Sequence, residues 1–123
     1  MIKLQKEFPL LKEYKKKFKV DDKTVFAYNK DIYSNYELSI DLQAHELIHL
    51  ARQEEMGVGV WVKTYLDIPQ FRLQEEVLAY KHQLEYYPDR NDKNRMRIQF
   101  AKTLSSNLYG EIVTLEEALK LLK

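Results

Sequence analysis

The sequence has no cysteine among its 123 residues. This absence excludes a disulfide-stabilised fold, a thiolate zinc finger and a cysteine nucleophile. Glycine and proline are scarce, with three residues each, so we expect mostly regular elements with few interruptions. No apolar run approaches the roughly 18 residues that span a bilayer, and the first residues lack the apolar segment of a secretory signal. We therefore expect a cytoplasmic protein that does not act on or in a membrane.

An excess of charge of either sign is also missing. Lys and Arg number 20, Asp and Glu number 19, and the formal net charge is +1. Proteins that bind nucleic acids carry a basic surface, whereas the basic residues here are dispersed or balanced by acids, so nucleic acid is not an expected partner. With 45% hydrophobic and 32% charged residues, the composition is globular. The length predicts a single domain over residues 1–123.

The spacing of apolar and turn-forming residues predicts an α+β protein that is mainly α-helical. We expect a helix, a small sheet and then four helices, in that order. The predicted elements are a helix at about 10–18, a strand at 24–28, an extended segment at 32–40, and helices at 42–56, 70–86, about 90–108 and 114–122. Residues 60–65 are predicted to form a short strand or a covering loop. Ser39 or Asp41, Asp89 or Asn91, and Thr114 are the predicted helix caps, and Gly57 is predicted to end helix 42–56.

Residues 45–49 have the pattern H-E-x-x-H and lie within predicted helix 42–56. Positions four apart share one face of a helix, with Cβ atoms about 5–6 Å apart. Both imidazoles can therefore bind one zinc ion. A glutamate directly after the first histidine can act as a general base on water at the metal without ligating the metal itself. We therefore predict a Zn²⁺ site with His45 and His49 as ligands and Glu46 as the catalytic base.

A catalytic zinc site also needs a third protein ligand and one open position. The candidates are downstream acids and one histidine: Glu54, Glu55, Glu75, Glu76, Glu85 and His82. The first two continue the metal-binding helix and cannot bend back across it. On helix 70–86, successive residues turn by about 100°, which puts Glu76 at the edge of the apolar face and Glu75 and His82 on the solvent side. Glu76 is therefore the predicted ligand, with Glu75 as the main alternative.

The pattern of these residues resembles the gluzincin branch of the zincin metallopeptidases. In that branch, which includes the thermolysin-like enzymes, H-E-x-x-H lies on one helix and a glutamate ligand on a following helix. Residues 76–80 have the sequence E-V-L-A-Y, which is similar to the E-x-x-A-Y signature of small phage and bacterial peptidases. The resemblance covers roughly residues 36–84.

The resemblance implies a minimal zincin-like fold, with a small N-terminal sheet, an active-site helix and a glutamate helix. It implies a zinc peptidase that hydrolyses a polypeptide substrate, with His45, His49 and Glu76 as ligands and Glu46 as general base. Such a fold usually has an edge strand along the substrate cleft, where an extended peptide can add as a further strand. We assign this role to residues 33–40.

Residues around the predicted site have several possible roles. Asp41 and Tyr80 are predicted either to bond metal ligands or to serve as a helix cap and a core residue, respectively. Arg72 is predicted to pair with Glu75 or Glu76, or to cover the helix surface. The tyrosines that could stabilise an oxyanion are not ranked, and packing is the alternative for each: Tyr65, Tyr86, Tyr87 and Tyr109.

Two other functions fit the same residues. The first is a non-catalytic module in which zinc supports the fold and a helical surface binds a partner. A purely structural zinc site does not need a free glutamate beside the metal, so Glu46 argues against this hypothesis. The second is a zinc hydrolase of a non-peptide amide, which the four site residues would serve equally well.

Overall fold

The computed structural model of the protein describes residues 2–123, and these form the predicted α+β fold, mainly α-helical with one small sheet. The strands are β1 (Ile2–Lys3), β2 (Phe26–Tyr28) and β3 (Asp31–Tyr33). The helices are α1 (Leu11–Lys17), α2 (Ile40–Met56), α3 (Val58–Asp67), α4 (Pro69–Leu84), α5 (Arg90–Leu104) and α6 (Leu115–Leu121). None of the helices within the described part of the chain combines the length and apolar character needed to cross a membrane.

Local sequence signals set several helix ends as predicted. Asp89 precedes α5, and its side chain accepts hydrogen bonds from the backbone N–H groups of Asn91 and Asp92. Thr114 caps α6 in the same way, through the N–H of Glu117. These caps satisfy backbone donors that have no partner within the helix. Ser39 occupies the N-cap position before α2, but its side chain makes no capping hydrogen bond to the helix backbone.

The segment after α2 differs from the prediction. Residues 58–67 form helix α3, where a short strand or a loop was expected over 60–65. Gly57 has a φ of 92°, a conformation that favours glycine, and it lets α3 start directly after α2. Trp61 and Tyr65 lie four residues apart and are both buried, so burial of one helical face outweighs the strand preference of the valines. Five α-helices therefore follow the sheet, where four were predicted.

The predicted edge strand over residues 33–40 is wrong. The strand order is β1-β3-β2, so β3 is the central strand, paired parallel with β1 and antiparallel with β2. β3 ends at Tyr33 because the next residue forms a local turn, in which the Ser34 hydroxyl bonds both the N–H and the C=O of Tyr36. Such side-chain bonds compete with strand pairing. The edge strand beside α2 is β2.

Two apolar clusters flank helix α4. The first is aromatic and joins the N-terminal segment, the sheet and α3; its buried residues are Phe8, Tyr14, Phe18, Phe26, Tyr33, Trp61, Val62 and Tyr65. The second joins the end of α4 to α5 and α6, and its buried residues are Tyr80, Leu84, Phe100, Ala101, Leu104, Ala118 and Leu122. Helix α4 is thereby enclosed by α2, α3 and α5. This enclosure places the middle of α4 against the H-E-x-x-H segment of α2.

Candidate metal centre

Helices α2 and α4 bring the three predicted ligands together. Nε2 of His45 lies 3.0 Å from Oε1 of Glu76, and Nε2 of His49 lies 3.0 Å from Oε2 of the same carboxylate. One potential ligand atom from each residue lies within 4.8 Å of the others, and all three residues are buried. The arrangement follows from the four-residue spacing on α2, which turns both imidazoles to the face that packs against α4.

The geometry of these side chains fits a metal ion. Two ligand atoms at about 2.0–2.1 Å from a tetrahedral ion lie about 3.3 Å apart, close to the spacings between Glu76 and the two histidines. Both ring nitrogens of His49 are buried without a hydrogen-bond partner among residues 2–123. Its Nε2 lies 3.0 Å from Oε2 of Glu76 but forms no hydrogen bond with it. Because a buried polar atom without a partner is costly, a metal bound at Nε2 would remove part of that cost.

The electrostatics of Glu76 favour the charged form that a metal ligand needs. Burial works to raise the pKa of this carboxyl, but the charge of His49, the hydrogen bond from His45 and the charge of His45 hold it well below its ordinary value. The hydroxyl of Tyr65 donates a hydrogen bond to Oε2 of Glu76. Burial and the adjacent Glu76 carboxylate raise the pKa of Tyr65 well above its usual range, so this hydroxyl stays a donor.

The predicted catalytic base lies beside the cluster. Glu46 is 6% exposed, and its Oε2 is 3.9 Å from Nε2 of His45. Burial raises the pKa of Glu46 to about 8; the charge of Glu76 adds to this rise, while that of His45 opposes it. A carboxyl with a pKa near neutrality can both accept and return a proton at physiological pH.

A residue that the sequence analysis missed, Gln83, holds the outer nitrogen of His45. Oε1 of Gln83 is 3.0 Å from Nδ1 of His45, and its amide nitrogen donates to Oδ2 of Asp41 at 2.8 Å. The hydroxyl of Tyr87 donates to the same Asp41 oxygen, also at 2.8 Å. Asp41 therefore supports the histidine indirectly, through Gln83. The signal was available in the sequence, because Gln83 follows Glu76 by seven residues and lies on the same helical face.

The prediction that Glu75 faces solvent is wrong. Glu75 is 4% exposed and accepts hydrogen bonds from Nε of Arg52 at 3.1 Å and from Nε1 of Trp61 at 2.9 Å. The apolar stripe of α4 defined only one of its buried faces, whereas α2 and α3 cover a second face. Glu75 is therefore held away from the histidines by its own partners. The other residue assigned to the solvent side, His82, has a side chain that is 40% exposed, as predicted.

Arg72 pairs with neither glutamate. It is buried and donates to the backbone carbonyls of Tyr65, Leu66 and Tyr109. Two of these carbonyls lie at the C-terminal end of α3, where the last carbonyls of a helix have no partner within it. The guanidinium therefore ties α3, α4 and the segment after α5 together.

The unranked tyrosines have distinct surroundings. The hydroxyl of Tyr80 lies 2.8 Å from that of Tyr109, and the ring of Tyr80 contacts His45 edge-on, with ring centroids 4.4 Å apart. Tyr80 is thus both a core residue and a wall of the metal cluster. Tyr86 is exposed. Tyr65 donates directly to the carboxylate of Glu76 and so supports a predicted ligand, whereas Tyr87 donates to Asp41 and contacts none of the three predicted ligands through a hydrogen bond.

A cavity of about 340 Å³ opens beside the cluster. Aromatic and aliphatic side chains form most of its wall, among them Phe18, Phe26, Trp61, Phe100 and Leu108. Strand β2 borders the cavity through Phe26 and Ala27. Part of the outer edge of this strand is already occupied, because Gln53 donates to the carbonyl of Ala27 and accepts from the N–H of Asn29.

Comparison of the chain with models of protein families, with curated proteins and with solved structures found no match in any of the three. A functional assignment therefore depends on the residues of the site and their geometry.

Proposed function

We propose that the protein is a zinc-dependent hydrolase of the peptidase type. The observation that carries this proposal is the buried cluster of His45, His49 and Glu76 with the Glu46 carboxyl beside it. Two imidazoles and one carboxylate are the ligand set of many catalytic zinc sites, which keep a fourth position open. Imidazole ligands favour zinc and similar transition metals over magnesium or calcium.

In this proposal, each side chain of the site has a separate role. When bound, zinc supplies the Lewis acidity that activates water and polarises a carbonyl. His45, His49 and Glu76 would hold the ion. Glu46 would take the proton from the attacking water and return it to the leaving nitrogen of the cleaved amide, for which its buried position beside His45 is suited.

The cavity beside the cluster indicates the polarity and the length of the substrate. Its wall favours an apolar group next to the scissile bond. Gln53 already bonds Ala27 and Asn29 at the edge of β2, so a long peptide cannot pair along those residues. This observation favours a short peptide, and it makes hydrolysis of a small non-peptide amide the second candidate function.

Metal content is the first test. The purified protein, supplied with zinc and freed of excess, is measured by elemental analysis beside Glu76→Gln and Glu75→Gln. We expect about one zinc per chain in the wild type, most of it lost in Glu76→Gln and retained in Glu75→Gln. The two glutamates are adjacent and both buried. Comparing the two variants therefore distinguishes zinc lost with a ligand from zinc lost with a buried charge. A wild type without zinc would refute the proposal.

Activity is the second test. Zinc-loaded protein is incubated with a mixture of short peptides and with small acyl amides, beside Glu46→Gln and the exposed control Glu54→Gln. We expect Glu46→Gln to keep its zinc and to lose about 10²–10⁴-fold in rate, while Glu54→Gln stays active. Cleavage of the amides alone would favour the second candidate. A zinc-loaded protein that hydrolyses neither class would support a non-catalytic zinc site.

A further inference from the structure

The hydrogen bonds around Gln83 define which way its amide points. The carboxylate of Asp41 can only accept hydrogen bonds, and it receives one from Gln83 and one from Tyr87. The amide nitrogen of Gln83 must therefore face Asp41, and its carbonyl oxygen must face His45. The reverse orientation would place two oxygen acceptors against each other.

The orientation of Gln83 determines in turn that Nδ1 of His45 carries a hydrogen. An amide oxygen only accepts, so Nδ1 of His45 must carry a hydrogen to make its 3.0 Å contact with Gln83. Nε2 faces the carboxylate oxygen Oε1 of Glu76 at 3.0 Å, and it is then the nitrogen at which a metal would take the place of a hydrogen. Gln83 and His45 are 4% and 2% exposed, so bulk water is not available to replace this bond.

We propose that Asp41 is a positioning residue for the metal centre, acting through Gln83 to keep a hydrogen on Nδ1 of His45 and to leave Nε2 for the metal. This inference rests on the proposed function. It assigns to Asp41 and Gln83 the support that a carboxylate or carbonyl commonly gives to a metal-binding histidine. The second histidine has no such support, since Nδ1 of His49 lacks a partner within the described residues.

Single substitutions separate this role from simple stabilisation. In Asp41→Asn, the new amide can donate as well as accept, so the orientation of Gln83 is no longer imposed. We expect the zinc affinity of the folded protein to fall by about 10–100-fold, the usual cost of losing such a partner. The matched control is Tyr87→Phe, which removes the other hydrogen bond to the same carboxylate oxygen but leaves Gln83 oriented. Its zinc affinity should stay close to that of the wild type.

A compensating double variant tests the donor-to-acceptor order of the hydrogen bonds that link position 41, position 83 and His45. In Asp41→Asn combined with Gln83→Glu, the amide at position 41 donates to the carboxylate at position 83, which again accepts from Nδ1 of His45. We expect the double variant to recover most of the zinc affinity lost in Asp41→Asn. Nitrogen-15 NMR of the zinc-loaded proteins should show the hydrogen on Nδ1 of His45 in the wild type and in the double variant.

The possible results distinguish failure of the positioning role from failure of the proposed function. Equal zinc affinities for Asp41→Asn and Tyr87→Phe, no recovery in the double variant, or zinc bound through Nδ1 of His45 would each overturn the positioning role. A wild type that binds no zinc would instead remove the proposed function, and the inference with it. Zinc affinity is measured by competition with a chelator, so these results do not depend on finding a substrate.

Discussion

Tyr65 donates a 2.6 Å hydrogen bond to Oε2 of Glu76. The same carboxylate oxygen lies 3.0 Å from Nε2 of His49. The bond thus links α3 to α4 and fixes one oxygen of the carboxylate that would ligate a metal. The Tyr65 ring is itself fixed by stacking on Trp61, with ring centroids 4.8 Å apart.

Replacing Tyr65 by phenylalanine should weaken metal binding without unfolding the protein. Tyr65→Phe keeps the ring and its stacking, but it removes the hydroxyl that donates to Glu76. Because partners of a ligating carboxylate orient it, we expect zinc affinity to fall by about 10–100-fold. Chelator competition measures this, with the exposed Tyr86→Phe as control. Unchanged affinity in Tyr65→Phe would show that α4 alone orients Glu76.

The ionisation of Asp41 should make stability depend on pH. Burial works to raise the pKa of Asp41, but hydrogen bonds, that of Gln83 foremost among them, lower it below its ordinary value of 3.8. The folded state therefore binds protons less readily than the unfolded state. The stability that ionised Asp41 contributes is full above the unfolded pKa and is lost as pH falls through the lower folded pKa.

Urea unfolding of the metal-free protein checks this dependence. We expect wild type to be more stable than Asp41→Asn near neutral pH, and the difference to shrink below about pH 4, because the protonated carboxyl then resembles the amide. The exposed Asp22→Asn serves as the reference for general charge effects. A difference that stays constant from neutral to acidic pH would contradict the role of the ionised form.

Gln53 should be important for stability although it is not one of the candidate metal ligands. It is 1% exposed, and its amide joins α2 to both the carbonyl of Ala27 and the N–H of Asn29. Gln53→Leu leaves these two backbone groups without partners, and each buried group left unpaired costs about 1–3 kcal/mol. Denaturant unfolding measures the loss. The control is Gln74→Leu, an exposed position on α4, which should change stability far less; equal effects would contradict the prediction.

Two adjacent leucines offer a sharp comparison in the second apolar cluster. Leu122 is 1% exposed and Leu121 is 39% exposed. Truncating the buried side chain leaves a cavity beneath α5, so Leu122→Ala should lower the free energy of unfolding by about 2–5 kcal/mol. Leu121→Ala should cost much less. Thermal or urea unfolding of the two variants decides the matter, and similar losses would mean that α6 is not packed as described.

The sequence by itself was sufficient for features that depend on neighbours along the chain. The mainly helical α+β class, the caps at Asp89 and Thr114, and the turn at Gly57 all follow from local preferences. The four-residue spacing of His45 and His49 predicts one shared helical face, because the helix repeat is constant. The same repeat placed Glu76 at the edge of the apolar face of its helix, and Glu76 is buried in the structure.

Only the tertiary structure decided features that depend on which elements pack together. The apolar stripe of α4 marks one buried face, but packing against α2 and α3 buries a second, polar face that includes Arg72, Glu75 and Gln83. Whether Asp41 reaches His45 directly or through Gln83 is likewise a property of two helices in contact. Helix periodicity describes the direction of a side chain from its own axis, whereas burial and hydrogen-bond partners come from segments distant in sequence. The sequence therefore predicted the candidate ligands, and the packing of α2 against α4 decided how they are supported.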